Sequence, residues 1–212
     1  MEAKHQDFEI FNLNGTQSQS FIKIGINCEN IGFGTCHKVW TCVCGLALEK
    51  FGFQKIYLTD EDEVIEKITR PNILLNESLN CEGIGLNWNT DRFNLSKTLE
   101  TSGMLCQPLD LITASDVIFN MTQIELVPQV LRLICEIYLE KFQICPIILM
   151  SYKSRNEQID DKLFEAFDKN NFEGEQANAK ELEEEMLSLP IDVFIFKLKE
   201  SKVSIILPSY TE

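Results

Sequence analysis

Three short apolar runs in this sequence end on residues able to hold or orient a ligand. They are Asp60 after QKIYLT, Trp88 after GIGLN, and Ser115-Asp116 after LDLITA. In an open, mostly parallel α/β sheet, ligands sit beyond the carboxyl ends of the strands. A carboxylate at Asp60 can accept hydrogen bonds from both hydroxyls of a ribose. The same residue can instead cap a helix, with Glu63 three residues on completing a capping-box-like pair. Trp88 can cover an adenine face or fill a core. Asp116 can point into the crevice or cap a turn. Both readings stay open for each residue.

A fourth stretch, GFGTCHKVWTCVCGLALEKFG at 32–52, lies where an α/β enzyme carries a glycine-rich cofactor loop. It begins as such a loop does, with Gly32-Phe33-Gly34, and ends like the helix that follows one. A dinucleotide fingerprint Gly-x-Gly-x-x-Gly would need glycine at position 37, which is His37, so a Rossmann-type oxidoreductase ranks low. His5 and His37 stand in no Ser-His-Asp setting, which sets hydrolase chemistry aside. The eight cysteines include no C-x-x-C pair, and two histidines offer little for a zinc set. No metal is expected, and the cysteines read as reduced core thiols.

The elements that must position these residues follow from patterning. Phe8–Leu13 and Phe21–Ile26 read as an N-terminal β-hairpin, with Asn14-Gly15 as a turn signal. Cys42–Phe51 reads as a short helix stopped by Gly52. Gln54–Thr59 is a buried strand, and the acids at 60–63 favour the start of a helix with Val64, Ile65 and Ile68 on its inner face. Pro71 ends or restarts that helix. Gly83–Trp88 is a further strand, and 87–102 a surface loop with a short helix. Leu109–Ala114 and Pro146–Tyr152 are buried strands; Val127 to Tyr138 have helical spacing, with Pro128 near the start. Ile159, Leu163, Phe164 and Phe167 mark an amphipathic helix, and 179–186 an acidic one. Asp192–Lys197 and Lys202–Leu207 are the last strands. Alternation of this kind argues an α/β fold, a mostly parallel sheet with helices on both faces and an antiparallel edge.

The chain has 212 residues, 44% hydrophobic and 25% charged, enough for one globular domain over 1–212. Residues 1–30 form its hairpin extension and 31–212 its core. No apolar run reaches the ~18 residues of a membrane helix, and the N-terminus has no signal-peptide pattern, so a cytoplasmic protein with no membrane partner is expected. A net charge of −14 opposes binding to nucleic-acid backbones and suits a partner with basic side chains.

Seven segments in order carry a resemblance: HKVW at 37–40, CGLALEKFG at 44–52, IYLTDEDEVIEKI at 56–68, N-x-x-x-N at 72–76, LNW at 86–88, LDLITASDVIF at 109–119 and PIILMSYKSR at 146–155. The tail, an acidic helix followed by IDVFIFKLK, fits as well. Together they span about Gly32 to Lys199, most of the chain. The chain resembles the seven-strand, S-adenosylmethionine-dependent protein methyltransferases, in the branch that methylates lysines of non-histone proteins, the methyltransferase-like 21 type.

The resemblance implies a Rossmann-like seven-strand sheet with an N-terminal hairpin, S-adenosyl-L-methionine as cofactor, and a role for each matching residue. Trp40 lines the cofactor pocket, with Thr41 and Gly45 in the remnant of its glycine loop. Asp60 binds the ribose, Trp88 lies beside the adenine, and Ser115 contacts the cofactor where the family often has Ala. Asp116 and Phe119 belong to the Asp-x-x-Tyr/Phe motif that holds the target lysine. Phe119 keeps the aromatic wall and lacks the hydroxyl of Tyr. The implied partner is a lysine-bearing protein such as a chaperone, an AAA-type ATPase or an elongation factor, met by a monomer.

One departure stands out. The family separates its Val-Trp motif from its glycine loop by a helix and the first sheet strand; here Val39-Trp40 runs straight into Thr41-Cys42-Val43-Cys44-Gly45. About 25–30 residues, one helix and one strand, are missing by this register. An alternative register takes residues 29–35 as the loop and HKVWT as an insertion, but leaves a polar segment where a buried strand belongs. A cofactor-free relative serving as a protein-binding module is therefore the runner-up.

Overall fold

The computed structural model describes residues 5–10, 22–27, 37–118, 120–154, 157–177 and 191–199, with side-chain detail from residue 44 onward. By its internal contacts the chain divides into two compact units, Met1–Asn87 and Trp88–Glu212. Each is a mixture of helices and strands, and the mixed α/β character matches the sequence expectation. The expected single, mostly parallel sheet does not form among the described residues: their strands make three sheets, and three of the five strand pairings are antiparallel.

In the first unit, β1 (His5–Ile10) pairs antiparallel with β2 (Ile22–Asn27), from His5 opposite Asn27 to Ile10 opposite Ile22. The turn at Asn14-Gly15 lies outside the described residues. Helix α1 (His37–Lys50) starts five residues before the expected helix at Cys42 and runs through it. β3 (Ile56–Asp60) pairs in parallel with β4 (Cys81–Gly85). Between them, α2 (Asp62–Val64), a π-helical turn (Ile65–Thr69) and α3 (Arg70–Leu75) follow without a break. Pro71 explains the widened turn: it has no N–H to give to the carbonyl four residues back. The Asn72 side-chain amide donates to the Ile68 carbonyl at 2.8 Å, and Asn76 repeats the pattern on Asn72 at 2.8 Å. The N-x-x-x-N spacing thus serves the helix itself.

Close approach holds these layers together. A Cβ on Gly45 of α1 would overlap the Leu58 side chain of β3, and one on Gly85 of β4 would overlap Asp62. A Cβ on Gly83 would come within 3.1 Å of Ile65 and 3.3 Å of Thr69, a tight fit rather than an overlap. Glu49, near the end of α1, accepts the backbone N–H groups of Leu79 (3.1 Å) and Asn80 (2.9 Å) just before β4.

The second unit is built on a four-stranded sheet, β5 (Leu111–Ser115), β6 (Ile147–Tyr152), β8 (Asp192–Leu198) and β7 (Phe172–Gln176) in that order. β5 and β6 are parallel; β8 runs antiparallel to both β6 and β7, giving the antiparallel edge. β7 was not anticipated. Its sequence, FEGEQ, buries Phe172 alone, because an edge strand is held by ladder hydrogen bonds more than by apolar surface. The acidic helix expected at 179–186 and the strand expected at 202–207 lie outside the described residues.

Helix α5 (Met121–Phe142) begins earlier than its apolar spacing implied. Asn120 caps it, accepting from the N–H of Thr122 (2.8 Å) and Gln123 (3.3 Å). Pro128 therefore lies inside the helix rather than near its start. α6 (Glu157–Lys169) supplies Ile159, Leu163 and Phe167. These pack with Ile124, Val127, Leu131 and Cys135 of α5 against Ile148, Met150, Phe194, Phe196 and Leu198 of the sheet. The Phe167 and Phe196 rings stack at 3.8 Å, and Phe164 meets Phe194 edge-on at 4.9 Å. In the segment expected to be mainly loop, Asp91 caps α4 (Arg92–Thr101), accepting the Asn94 N–H at 2.8 Å.

Candidate functional site

Asp60 is the last residue of β3, as its apolar run implied. It is half-buried, and its Oδ1 accepts the Glu61 N–H at 2.8 Å, while its own carbonyl receives the Leu86 N–H at 2.8 Å. The expected capping box does not form: the N-cap position is Glu61, and no side chain caps the helix there. The cap alternative for Asp60 thus loses its main support, and a carboxylate at a strand's carboxyl end keeps the chemistry a ribose requires.

Trp40, Thr41 and Gly45 all fall within α1, an unbroken helix from His37 to Lys50. Trp40 and Thr41 are consecutive helical residues, and no glycine loop separates them. Gly45 is buried, and the space a side chain would need is taken by Leu58. Its lack of a Cβ lets helix meet strand, which is packing, not an approach of backbone to a ligand. The residues present thus fit S-adenosylmethionine unevenly. Asp60 offers what a ribose needs, while Gly45 does not fit the part of a loop cradling the amino-acid end.

In the second unit, Trp88 is half-buried and packs against the edge of the apolar core. Ser115 ends β5, and Asp116 follows it with φ 52°, in the left-handed region. Asp tolerates that region better than most residues, and a non-glycine residue held there marks a backbone fixed by its surroundings. Here the Asp116 N–H donates to the Ser151 carbonyl at 2.9 Å, the last rung between β5 and β6. The hydroxyls of Ser115 and Ser151 lie 2.9 Å apart across the same rung. Phe119 lies outside the described residues.

Sequence reasoning missed the polar end of β6. Ser151 touches both Ser115 and Asp116, and Tyr152, Ser154 and Asp160 form a connected group beside it. The signal was present: SYKS follows the apolar run IILM just as Ser115-Asp116 follows LDLITA.

Two surface grooves of about 360 and 350 Å³ open between α4 and α5 and between α5 and α6. Neither is lined by any of the expected site residues. Among the described residues no group of three or more His, Cys, Asp or Glu side chains is arranged to hold a metal ion, and no helix is long and apolar enough to cross a membrane. Cys135 and Cys145 are buried, whereas Cys106 is exposed and so departs from the expected core placement. The hydrogen bond that Cys135 shares with Cys145, and then burial, push the Cys135 thiol far up, which keeps it protonated and unreactive.

A comparison with curated proteins finds no match. A protein-family model described as lysine methyltransferase matches residues 34–170, well over half of the chain. The matched region contains HKVW, Asp60, Trp88, the Ser115-Asp116 strand end and the SYKS segment. This chain belongs to the lysine methyltransferase family.

Proposed function

We propose that the chain transfers a methyl group from S-adenosyl-L-methionine to a lysine of a non-histone protein, in the methyltransferase-like 21 branch. The observation that carries this reading is Asp116: a carboxylate at the carboxyl end of a parallel strand, its backbone held left-handed by Ser151. S-adenosylmethionine, when bound, supplies an electrophilic methyl on a sulfonium. Transfer then needs a neutral amine aimed in line, so proximity and orientation are the enzyme's main contribution. Asp116 accepts a hydrogen bond from the lysine amine and fixes its direction, and Phe119 forms the apolar wall beside the side chain. Asp60 receives the ribose hydroxyls, Trp88 covers the adenine, and Ser115, Trp40 and Thr41 contact the cofactor; Gly45 contributes through packing.

The net charge of −14 supports a basic segment around the target lysine, and a chaperone, AAA-type ATPase or elongation factor fits that description. The proposed enzyme is a cytoplasmic monomer that binds neither nucleic acid nor membrane. Asp116→Asn tests the reading, since Asn also tolerates the left-handed region. Turnover should fall by about 100-fold or more while cofactor affinity stays within about twofold. Equal loss of both would sink the role of Asp116.

A second reading, an inactive relative that binds a protein partner, is favoured by the continuity of α1 through Trp40 and Thr41. Calorimetric titration separates the two. No binding of S-adenosylmethionine at about millimolar concentration would decide for the second.

A further inference from the structure

The carboxyl end of β6 carries a polar knot that none of these roles uses. Asp160, in the first turn of α6, accepts the Tyr152 hydroxyl through Oδ1 and the Ser154 hydroxyl through Oδ2 at 2.6 Å. The hydrogen bond from Ser154, and then that from Tyr152, hold its carboxyl below the usual carboxylate range. The Tyr152 ring is buried and packs near Phe194, centroids 6.5 Å apart, so the hydroxyl is presented from a fixed position. One carboxylate thus fastens residues 152 and 154 of the strand end to helix α6. Ser151 directly precedes them. Its carbonyl accepts the Asp116 N–H, and its hydroxyl pairs with Ser115, just before the chain turns left-handed.

We propose that Asp160 is a positioning residue for Asp116. By fixing Tyr152 and Ser154 it holds the strand end whose Ser151 anchors the Asp116 backbone, and so sets the direction of the Asp116 carboxylate. Asp160 touches no substrate; it acts through two hydroxyl hydrogen bonds and one backbone rung. The effect on methyl transfer rests on the transferase reading, whereas the effect on Asp116 itself does not.

The test uses the full chain and two readouts. Amide hydrogen exchange is followed at Asp116 and at Ile147, whose N–H donates to Asp110 at 3.1 Å at the opposite end of the same strand pair. The variants are Asp160→Ala, Asp160→Asn, the double change Tyr152→Phe with Ser154→Ala, and a control, Asp168→Asn, which breaks the ion pair to Lys199 later in α6. Exchange at Asp116 should rise about tenfold in Asp160→Ala and in the double variant, and less in Asp160→Asn, which keeps one acceptor oxygen. Ile147 should keep its rate, and Asp168→Asn should change neither amide.

The second readout is transfer of radiolabelled methyl groups from S-adenosylmethionine to protein lysine in a cytosolic extract. Turnover should fall about tenfold in the same variants with the cofactor KM within about twofold. Unchanged exchange at Asp116, or equal acceleration at Asp116 and Ile147, overturns the proposal. So does faster exchange with turnover untouched. If the unsubstituted protein transfers no methyl group, the transferase reading fails and exchange alone decides the positioning of Asp116.

Discussion

Residues 44–87 and 88–199 hold their sheets together in opposite ways. The first stretch brings helix to strand at Gly45 and Gly85, where a Cβ would collide with Leu58 or Asp62, and at Gly83, where it would press tightly on Ile65 and Thr69. Polar clamps complete it: Glu49 on the Leu79 and Asn80 amides, and Asn72 on the Ile68 carbonyl. The second stretch fills its space with rings and branched chains. Phe167, Phe172 and Phe196 are almost wholly buried, and Tyr138 is buried with its hydroxyl on the Met104 carbonyl at 2.7 Å. The first region depends mainly on the absence of atoms and the second mainly on their presence, with one close approach of its own at Gly174, where a Cβ would overlap the Phe196 ring. The first should therefore fail when a methyl is added, the second when a ring is removed.

The largest effect is expected at Phe196. Phe196→Ala removes a fully buried ring stacked on Phe167 and should cost about 3–5 kcal/mol, read as a lower urea midpoint. A loss under about 1 kcal/mol would mean that this core collapses around the gap, and the contrast with the glycine-packed region would weaken.

Gly45→Ala comes next, at about 1–3 kcal/mol, because Leu58 is itself buried and has little room to yield. This variant also separates packing from cofactor contact. If Gly45 faced a ligand, S-adenosylmethionine affinity would drop while thermal stability held.

Glu49→Ala should cost about 1 kcal/mol, since the exposed Leu79 amide and the partly buried Asn80 amide lose a charged acceptor. The pH dependence has a defined sign. Burial raises the Glu49 pKa, but hydrogen bonds from Ser78, Asn80 and Leu79 outweigh it and leave the group below its ordinary 4.5. A depressed carboxylate pKa stabilises the fold above the unfolded value, and that stabilisation is lost as pH falls through the folded value. The urea midpoint of the unsubstituted protein should therefore decline below about pH 4.5, and Glu49→Ala should have a shallower acid limb.

The smallest effect has the opposite sign. Gln143, just past α5, sits left-handed at φ 57°. Gln143→Gly should stabilise by about 0.5 kcal/mol, a rise of about 1–2 °C in Tm by calorimetry.

How much of this was legible depends on the residue. β6 and β8 alternate buried with half-buried positions, and a period of two in the sequence reveals such strands directly. β7 escaped because its one buried residue, Phe172, makes no pattern. The strand-end placement of Asp60 and Asp116 was legible because the rule that flags it, a polar residue after an apolar run, concerns neighbours in the chain. Ser151 and Asp160 obey the same rule only in part. Ser151 meets Ser115 and Asp116 at the end of a neighbouring strand, and Asp160 meets Tyr152 and Ser154 from a helix; no local pattern pairs positions 36 residues apart.

The sequence by itself determined the order of most helices and strands, the placement of Asp60 and Asp116 at strand ends, and the family. These follow from local patterning and from short motifs in a fixed order. Tertiary structure decided that Gly45 serves packing, that β7 completes an edge, and that Ser151 fixes Asp116 in a left-handed turn. Each of those depends on which surfaces come within van der Waals or hydrogen-bond reach, and that is set by the packing of segments far apart in the chain.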